Sequence, residues 1–466
     1  MKSSLAFALA TAVSALVAQD KPAPASTAGL PQLRAAFAAA QKGEHAIVIA
    51  VVQGHEPVIL TAGADSSGGD MTPQTLVPLL SLAKVLAADA IHVRLKGKID
   101  DGCGEKLGDR ELTVRELLDG VPLLPDFFVL DGGGEVADAA LLRKCGAMFV
   151  GGDMDPQASR LGAPEFVLLE PLALGGLYKD WPSMLRSTLA PRVSGLDPVG
   201  ADALGEPKRS TILAAADMSK LATAQPAVLR TLLSLKDIGT WMQWRTQQDV
   251  PLWASARMGG LVSSRTRPNV QYWTTGSKAM RVSMMLAQYP SRKAALLRIV
   301  APDGPSLMHK LQVAFEDDLY ADEDAQGTSQ QERLQAGLAA AQAARAARGT
   351  PAASTLDGTR WCSTAADDKE TVRLAFGASL RERLVLTLHG ESLAFSMTRT
   401  GAGLLATPWR RGTDMFWLWV RPEPDAEKPT KVACVLVAGR GSDARSSPFT
   451  TSASVPHYFE LLPQKN

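Results

Sequence analysis

The chain has 466 residues, and 49 Lys and Arg against 48 Asp and Glu leave a formal net charge of +1 at pH 7 with 46% hydrophobic residues. That balance argues against global disorder, and with no basic excess nothing points to nucleic acid or an anionic membrane as partner. Gly 39 and Pro 29 exclude collagen-like and low-complexity readings, and at about 150 residues per domain the length allows about three units, or one large domain with a smaller one.

The chain opens MKSSLAFALATAVSALVAQD, with Lys2, an apolar run from Leu5 to Val17 and small residues up to Ala18. This is the layout of a secretory signal peptide over residues 1–18, with a cut expected near Ala15 or Ala18. The run is shorter than the about 20 apolar residues a membrane span needs, and no later stretch is long and uncharged enough. The mature protein is expected to be soluble and secreted or periplasmic, with no membrane span.

Two β-rich segments, His45 to Val52 and Pro57 to Gly63, flank Gln53, Gly54, His55 and Glu56 and predict a hairpin. A helical pattern begins near Thr75, with Leu79, Leu82, Leu86, Ala90 and Val93 at spacings of three and four, and Gly97 marks its end. In LTVRELLDG, Thr113 and Glu116 predict a capping box ahead of Leu117 and Leu118. From about Asp126 to Pro164 the Gly- and Asp-rich sequence predicts a loop-bearing surface insertion. Helical character returns in PEFVLLEPLALGGLYKDWPSMLRSTL and in ILAAADMSKLATAQPAVLRTLLSL, and beyond Pro251 NVQYWTTGS, RVSMMLAQY and AALLRIV predict strands.

Thr328 to Arg348 is Ala-rich and free of Pro, which predicts a linker helix. The rest is β-patterned: RLVLTLHGESLAFSM alternates on both sides of His389 and Gly390, and MFWLWV and VACVLVAG read as further strands. The expected fold class is α+β. An antiparallel sheet flanked by helices fills residues 27–310, a helical linker follows over 311–350, and a small all-β barrel or sandwich occupies 351–466.

Four cysteines, Cys103, Cys145, Cys362 and Cys434, allow three pairings in an oxidising compartment, and none forms a CxxC pair of the kind zinc or redox sites use. Cys362 and Cys434 bracket the C-terminal region and are expected to pair, with Cys103 and Cys145 as the second pair.

Ser81, Leu82, Ala83 and Lys84 form an S-x-x-K tetrad. On a helix that spacing puts serine and lysine on one face about a turn apart, within reach of each other. Serine needs a neighbouring base to act as a nucleophile, and lysine is one only when its amine is neutral. The tetrad alone is not specific, since about one or two are expected by chance in a chain this long.

The surrounding order is more informative. A hairpin, then TLVPLLSLAKVLAADAIHVRLKGKID, then LTVRELLDGVPLLP resembles the serine β-lactamase and penicillin-binding-protein superfamily, in particular its class C β-lactamase, D-alanyl-D-alanine peptidase and esterase group. The resemblance covers roughly Ala46 to Val300. It implies a β-lactamase/transpeptidase-like sheet, an acyl-enzyme at Ser81 with Lys84 as base, and an oxyanion held between the backbone N–H groups of Ser81 and Ser277. Two departures stand out. The positions equivalent to the family's Tyr-x-Asn are Leu161, Gly162 and Ala163, with neither phenol nor amide. The family's Lys-Thr-Gly or His-Thr-Gly strand corresponds to Thr274, Thr275 and Gly276, which keep the Thr and Gly and lack the cation; Lys278 lies two residues beyond. Tyr178 matches a structural position.

No other pattern competes. His45, His55, His92, His309, His389 and His457 show no metal-ligand spacing, so neither a metal nor a cofactor is expected. Asp131 with Gly132, Gly133 and Gly134 lacks the lysine and helix of a phosphate loop. Trp417 and Trp419 read as core on one strand face, and Glu316, Asp317 and Asp318 as a solvated acidic face. Two readings follow. One is an exported serine hydrolase acting on an ester, amide or D-amino-acid peptide, with a small-molecule or peptidoglycan-like substrate. The other is a catalytically impaired pseudoenzyme that binds or scaffolds.

Overall fold

The computed structural model describes residues 29–40, 45–95, 97–107, 110–118, 163–202, 210–224, 226–248, 270–277, 282–301, 305–321 and a set of strands between 359 and 463. The expected signal peptide, the 126–164 insertion up to residue 162 and the Ala-rich 328–348 segment lie outside the described residues.

Strands β1 (His45–Val52) and β2 (Val58–Ala62) form the expected hairpin. They join β8 (Gln271–Ser277), β9 (Val282–Tyr289) and β10 (Ala294–Ala301) in one antiparallel sheet, as the sequence predicts, and its order is β2-β1-β10-β9-β8. β1 sits inside this sheet and is buried on both faces, which explains why HAIVIAVV is a continuous apolar run. Ile47, Ile49 and Val51 enter one core, and Ala46, Val48, Ala50 and Val52 enter the other.

The second core is covered by α1 (Pro31–Ala40), through Leu33 and Phe37, and by a helix over Pro305–Leu319 through Leu311 and Phe315. That helix runs across the boundary expected at residue 310, because its apolar face belongs to the sheet. It also corrects the reading of Glu316 and Asp318 as solvated. Each is 5% exposed. Glu316 accepts hydrogen bonds from the Tyr289 hydroxyl at 3.0 Å and the Gln312 amide at 2.8 Å. Asp318 accepts from the backbone N–H groups of Gln32 and Leu33, at 3.1 and 2.9 Å, at the start of α1. Only Asp317 faces water.

On the other face lie β3 (Leu76–Pro78), α2 (Leu82–Leu95), β4 (Gly102–Leu107), β5 (Arg110–Thr113), α3 (Val114–Leu118), α4 (Ala163–Leu174), α5 (Trp181–Leu189), β6 (Val199–Gly200), α6 (Ala215–Ala222), β7 (Thr231–Ser234) and α7 (Leu235–Gln247). The helix over Pro305–Leu319 is α8. Thr113 and Glu116 make the expected capping box: the Thr113 N–H donates to Glu116 Oε2 at 2.9 Å, and the Glu116 N–H donates to Thr113 Oγ1 at 3.1 Å.

Two expectations fail here. The helix starts at Leu82 and not near Thr75, because Leu76 to Pro78 pair with β7; and TLLS, read as helical, is β7 itself. Runs of three or four apolar residues are too short for periodicity to separate strand from helix, so cross-strand pairing decides. Within α2, every residue from Leu82 to Ile91 is buried, including Lys84 and Asp89. A helix apolar all round is a core helix, and these two charges therefore sit inside the core. In α7, Gly239 permits close approach to the sheet, since a Cβ there would lie 3.0 Å from that of Pro57.

The C-terminal strands are β11 (Arg360–Ser363), β12 (Arg373–Ala375), β13 (Leu384–Leu388), β14 (Glu391–Phe395), β15 (Met397–Thr400), β16 (Gly403–Ala406), β17 (Trp409–Arg411), β18 (Asp414–Pro422), β19 (Val432–Gly439) and β20 (His457–Pro463). They pair antiparallel in the order β14-β13-β12-β11-β20-β19-β18-β16-β15, with β17 also on β18.

This order rules out the expected Cys362–Cys434 disulfide. β20 lies between the two strands, with Cys362 opposite Leu462 and Cys434 opposite Phe459. Strands two apart are separated by about 9.5 Å, beyond the roughly 4.4–6.8 Å that a disulfide spans. Cys103, Cys362 and Cys434 carry free thiols, and Cys145 lies outside the described residues. Burial pushes the Cys434 thiol well above its ordinary pKa. Non-reducing peptide mapping should find Cys362 and Cys434 both as thiols, with Cys434 alkylated only after unfolding. A peptide bridged between them would contradict the strand order.

Candidate active site

The β3–β7 ladder carries the chain up to Leu79, whose N–H donates to the Thr231 carbonyl at 3.1 Å. Leu80 then takes a left-handed conformation, φ 48°, with its side chain fully buried. A branched residue is costly there, on the order of 1–3 kcal/mol, and such strain persists only where the surroundings impose it, most often at functional sites. The turn swings the chain out of the strand and directly into α2. Ser81 follows it, half-buried, and the Lys84 N–H donates to the Ser81 carbonyl at 3.2 Å in the first helical turn. Lys84 is 6% exposed. The half-buried Ser81 and the buried Lys84 thus follow one another within the first turn of α2.

Thr275, Gly276 and Ser277 end β8, the edge strand of the main sheet, in register with Met284, Ser283 and Val282 of β9. Met284 and Val282 belong to the core on the α2 side, so positions 275 and 277 fall on the sheet face that carries α2. Ala163 begins α4, while Leu161, Gly162 and Lys278 lie outside the described residues. Tyr178 lies under the Arg94 guanidinium, 5.2 Å from the ring centroid, and is engaged in packing.

A cluster that the sequence reading did not single out lies behind the tetrad. Asp89, fully buried on α2, forms an ion pair with Arg245 of α7 and accepts a hydrogen bond from Trp241 Nε1 at 3.0 Å. Arg245 Nε also donates to Gln288 Oε1 on β9 at 3.2 Å, and its guanidinium stacks over Trp273 of β8, 5.4 Å from the ring centroid. Nearby His92 is held below the ordinary histidine pKa by burial, against the opposing charge of Asp89 and with help from Arg115 and Arg245. A lone acidic residue in the apolar run LAADAIHV was the available signal for this cluster; α7, which supplies Trp241 and Arg245, was not predicted at all. Among the described residues no three His, Cys, Asp or Glu side chains converge as a metal site, and no helix is long and apolar enough to cross a membrane.

No family model and no curated protein matches the chain. Solved structures do. SurE covers 88% of this chain and 97% of its own at 16% identity and a TM-score of 0.51, and SurE with D-Leu gives 86%, 97%, 15% and 0.50. D-amino acid amidase from Ochrobactrum anthropi SV3 covers 61% of this chain and 99% of its own at 13% identity and TM-score 0.45; a class C β-lactamase from Rhodobacter sphaeroides covers 62% and 99% at 14% and 0.42. The two SurE structures show that the chain shares the SurE fold. The overlap with SurE exceeds what residues 1–321 alone can supply and therefore reaches into the C-terminal strands.

Proposed function

We propose that this protein is an exported serine hydrolase that forms an acyl-enzyme at Ser81 on an ester, amide or D-amino-acid peptide. The observation that carries the reading is the strained, buried Leu80 turn that presents Ser81, with Lys84 sequestered one turn on. Lys84 is buried where an apolar residue would pack as well, so its amine calls for a role other than packing. Its position beside a half-exposed hydroxyl has a chemical rationale: the neutral amine takes the hydroxyl proton as the oxygen attacks a carbonyl. The backbone N–H groups of Ser81 and Ser277 receive the oxyanion. The leaving group takes up the proton, and water then hydrolyses the ester on Ser81.

The substrate class draws support from SurE, solved with D-Leu on the same fold. Export rests on the N-terminal sequence, and the C-terminal strands are proposed to form a separate small barrel or sandwich. Thr274 favours the second reading, a binding or scaffolding pseudoenzyme, because it stands where the family has the cation that meets a substrate carboxylate. The two readings separate on turnover. A panel of p-nitrophenyl esters and D-amino-acid amides should be hydrolysed by the protein and not by Ser81→Ala, with substrates lacking a free carboxylate preferred. Equal rates in both proteins would favour the pseudoenzyme.

A further inference from the structure

We infer that Asp89, Arg245 and Trp273 form a clamp that sets the distance between the two oxyanion donors, making Asp89 and Arg245 positioning residues for the reaction at Ser81. The inference rests on the serine hydrolase reading above and assigns a task to groups that this reading does not use.

The geometry is that of two arms leaving one pivot. Asp89 lies eight residues from Ser81 along α2, roughly 12 Å at the helical rise. Trp273 lies four residues from Ser277 along β8, roughly 13 Å at the strand rise. Ser81 and Ser277 therefore lie at nearly equal distances from the pivot along the helix and along the strand. At the pivot, Arg245 is bound to the helix arm through its ion pair with Asp89 and to the sheet through Gln288 Oε1 at 3.2 Å, and it stacks on the strand arm over the Trp273 ring. Trp241 Nε1 fixes the second carboxylate oxygen of Asp89 at 3.0 Å. Arg245 and Asp89 are 2% and 0% exposed, so neither acts through solvent.

Only a guanidinium serves here. Its planar fork meets a carboxylate and a side-chain carbonyl at once, and its flat face stacks on an indole, whereas an ammonium is a single point charge. A buried ion pair is replaceable by apolar residues at little cost in stability, so stability alone does not account for it. Leverage does: a rotation of about 5° at the pivot moves an arm tip by about 1 Å, and displacement on that scale costs up to about 10²-fold in rate.

Two variants test this, each measured as kcat per active site, with sites counted from the acyl-enzyme burst, alongside KM and the thermal transition. Arg245→Lys retains a charge for Asp89 but loses the fork and the stack. The double variant Asp89→Asn with Arg245→Met removes both charges and leaves Trp241 an acceptor. Both are expected to lower kcat per titrated site by 10- to 100-fold with KM within about threefold. A purely structural role would reduce the count of active sites and leave kcat per site unchanged, and that result in whichever variant folds overturns the clamp while the hydrolase reading stands. Absence of any acyl-enzyme in the unsubstituted protein removes the hydrolase reading and the clamp with it.

Discussion

Lys84→Met should slow covalent labelling of Ser81 by about 10² to 10⁴-fold, the usual contribution of a positioned general base, without loss of the fold. Methionine is close to lysine in length, and Lys84 is 6% exposed among apolar residues of α2, so the substitution removes a proton acceptor and leaves the packing almost unchanged. Labelling is best followed as the second-order rate with a fluorophosphonate, alongside the thermal transition. A rate unchanged within a factor of three in a folded variant would mean that another group takes the Ser81 proton.

The largest effect on stability is expected at Arg245. Arg245→Met leaves the Asp89 carboxylate inside the core without its ion-pair partner, and breaking a buried pair from one side costs about 3–5 kcal/mol. The double variant with Asp89→Asn should recover most of that loss, because no charge remains buried and Trp241 Nε1 keeps its acceptor. The pair between Arg186 and Asp197 is the internal comparison. Its side chains are 50% and 41% exposed, so Arg186→Met should cost no more than about 1 kcal/mol. Urea denaturation of the four proteins provides the ordering. Equal losses at Arg245 and Arg186 would show that Asp89 is hydrated in the native state.

The strands of the main sheet were legible in the sequence because apolar runs such as HAIVIAVV and RVSMMLAQY end at turn residues, whereas their order in the sheet came only with the pairing. The Thr113 and Glu116 cap was legible because it is purely local chemistry. What the sequence hid is set by contacts between distant segments. LVP and TLLS become strands only because they pair with each other, more than 150 residues apart. Glu316 and Asp318 look solvated until α1 and β9 arrive to use their oxygens. Cys362 and Cys434 look like partners until β20 is seen to lie between their strands.

The site divides in the same way. Ser81 and Lys84 were visible by spacing, since helix geometry alone brings them together. Leu80, whose backbone strain presents the serine, carries no sequence mark, for left-handed turns ordinarily call for glycine or asparagine. Arg245 was invisible because α7 was not predicted, and its three partners come from α2, β8 and β9.

The most direct test of the account is intact mass spectrometry after incubation with a fluorescent penicillin and, separately, with a fluorophosphonate. One covalent adduct per chain is expected with at least one probe, mapped to the peptide that contains Ser81 and absent from Ser81→Ala. No adduct with either probe after long incubation, or an adduct that persists in Ser81→Ala, would contradict it.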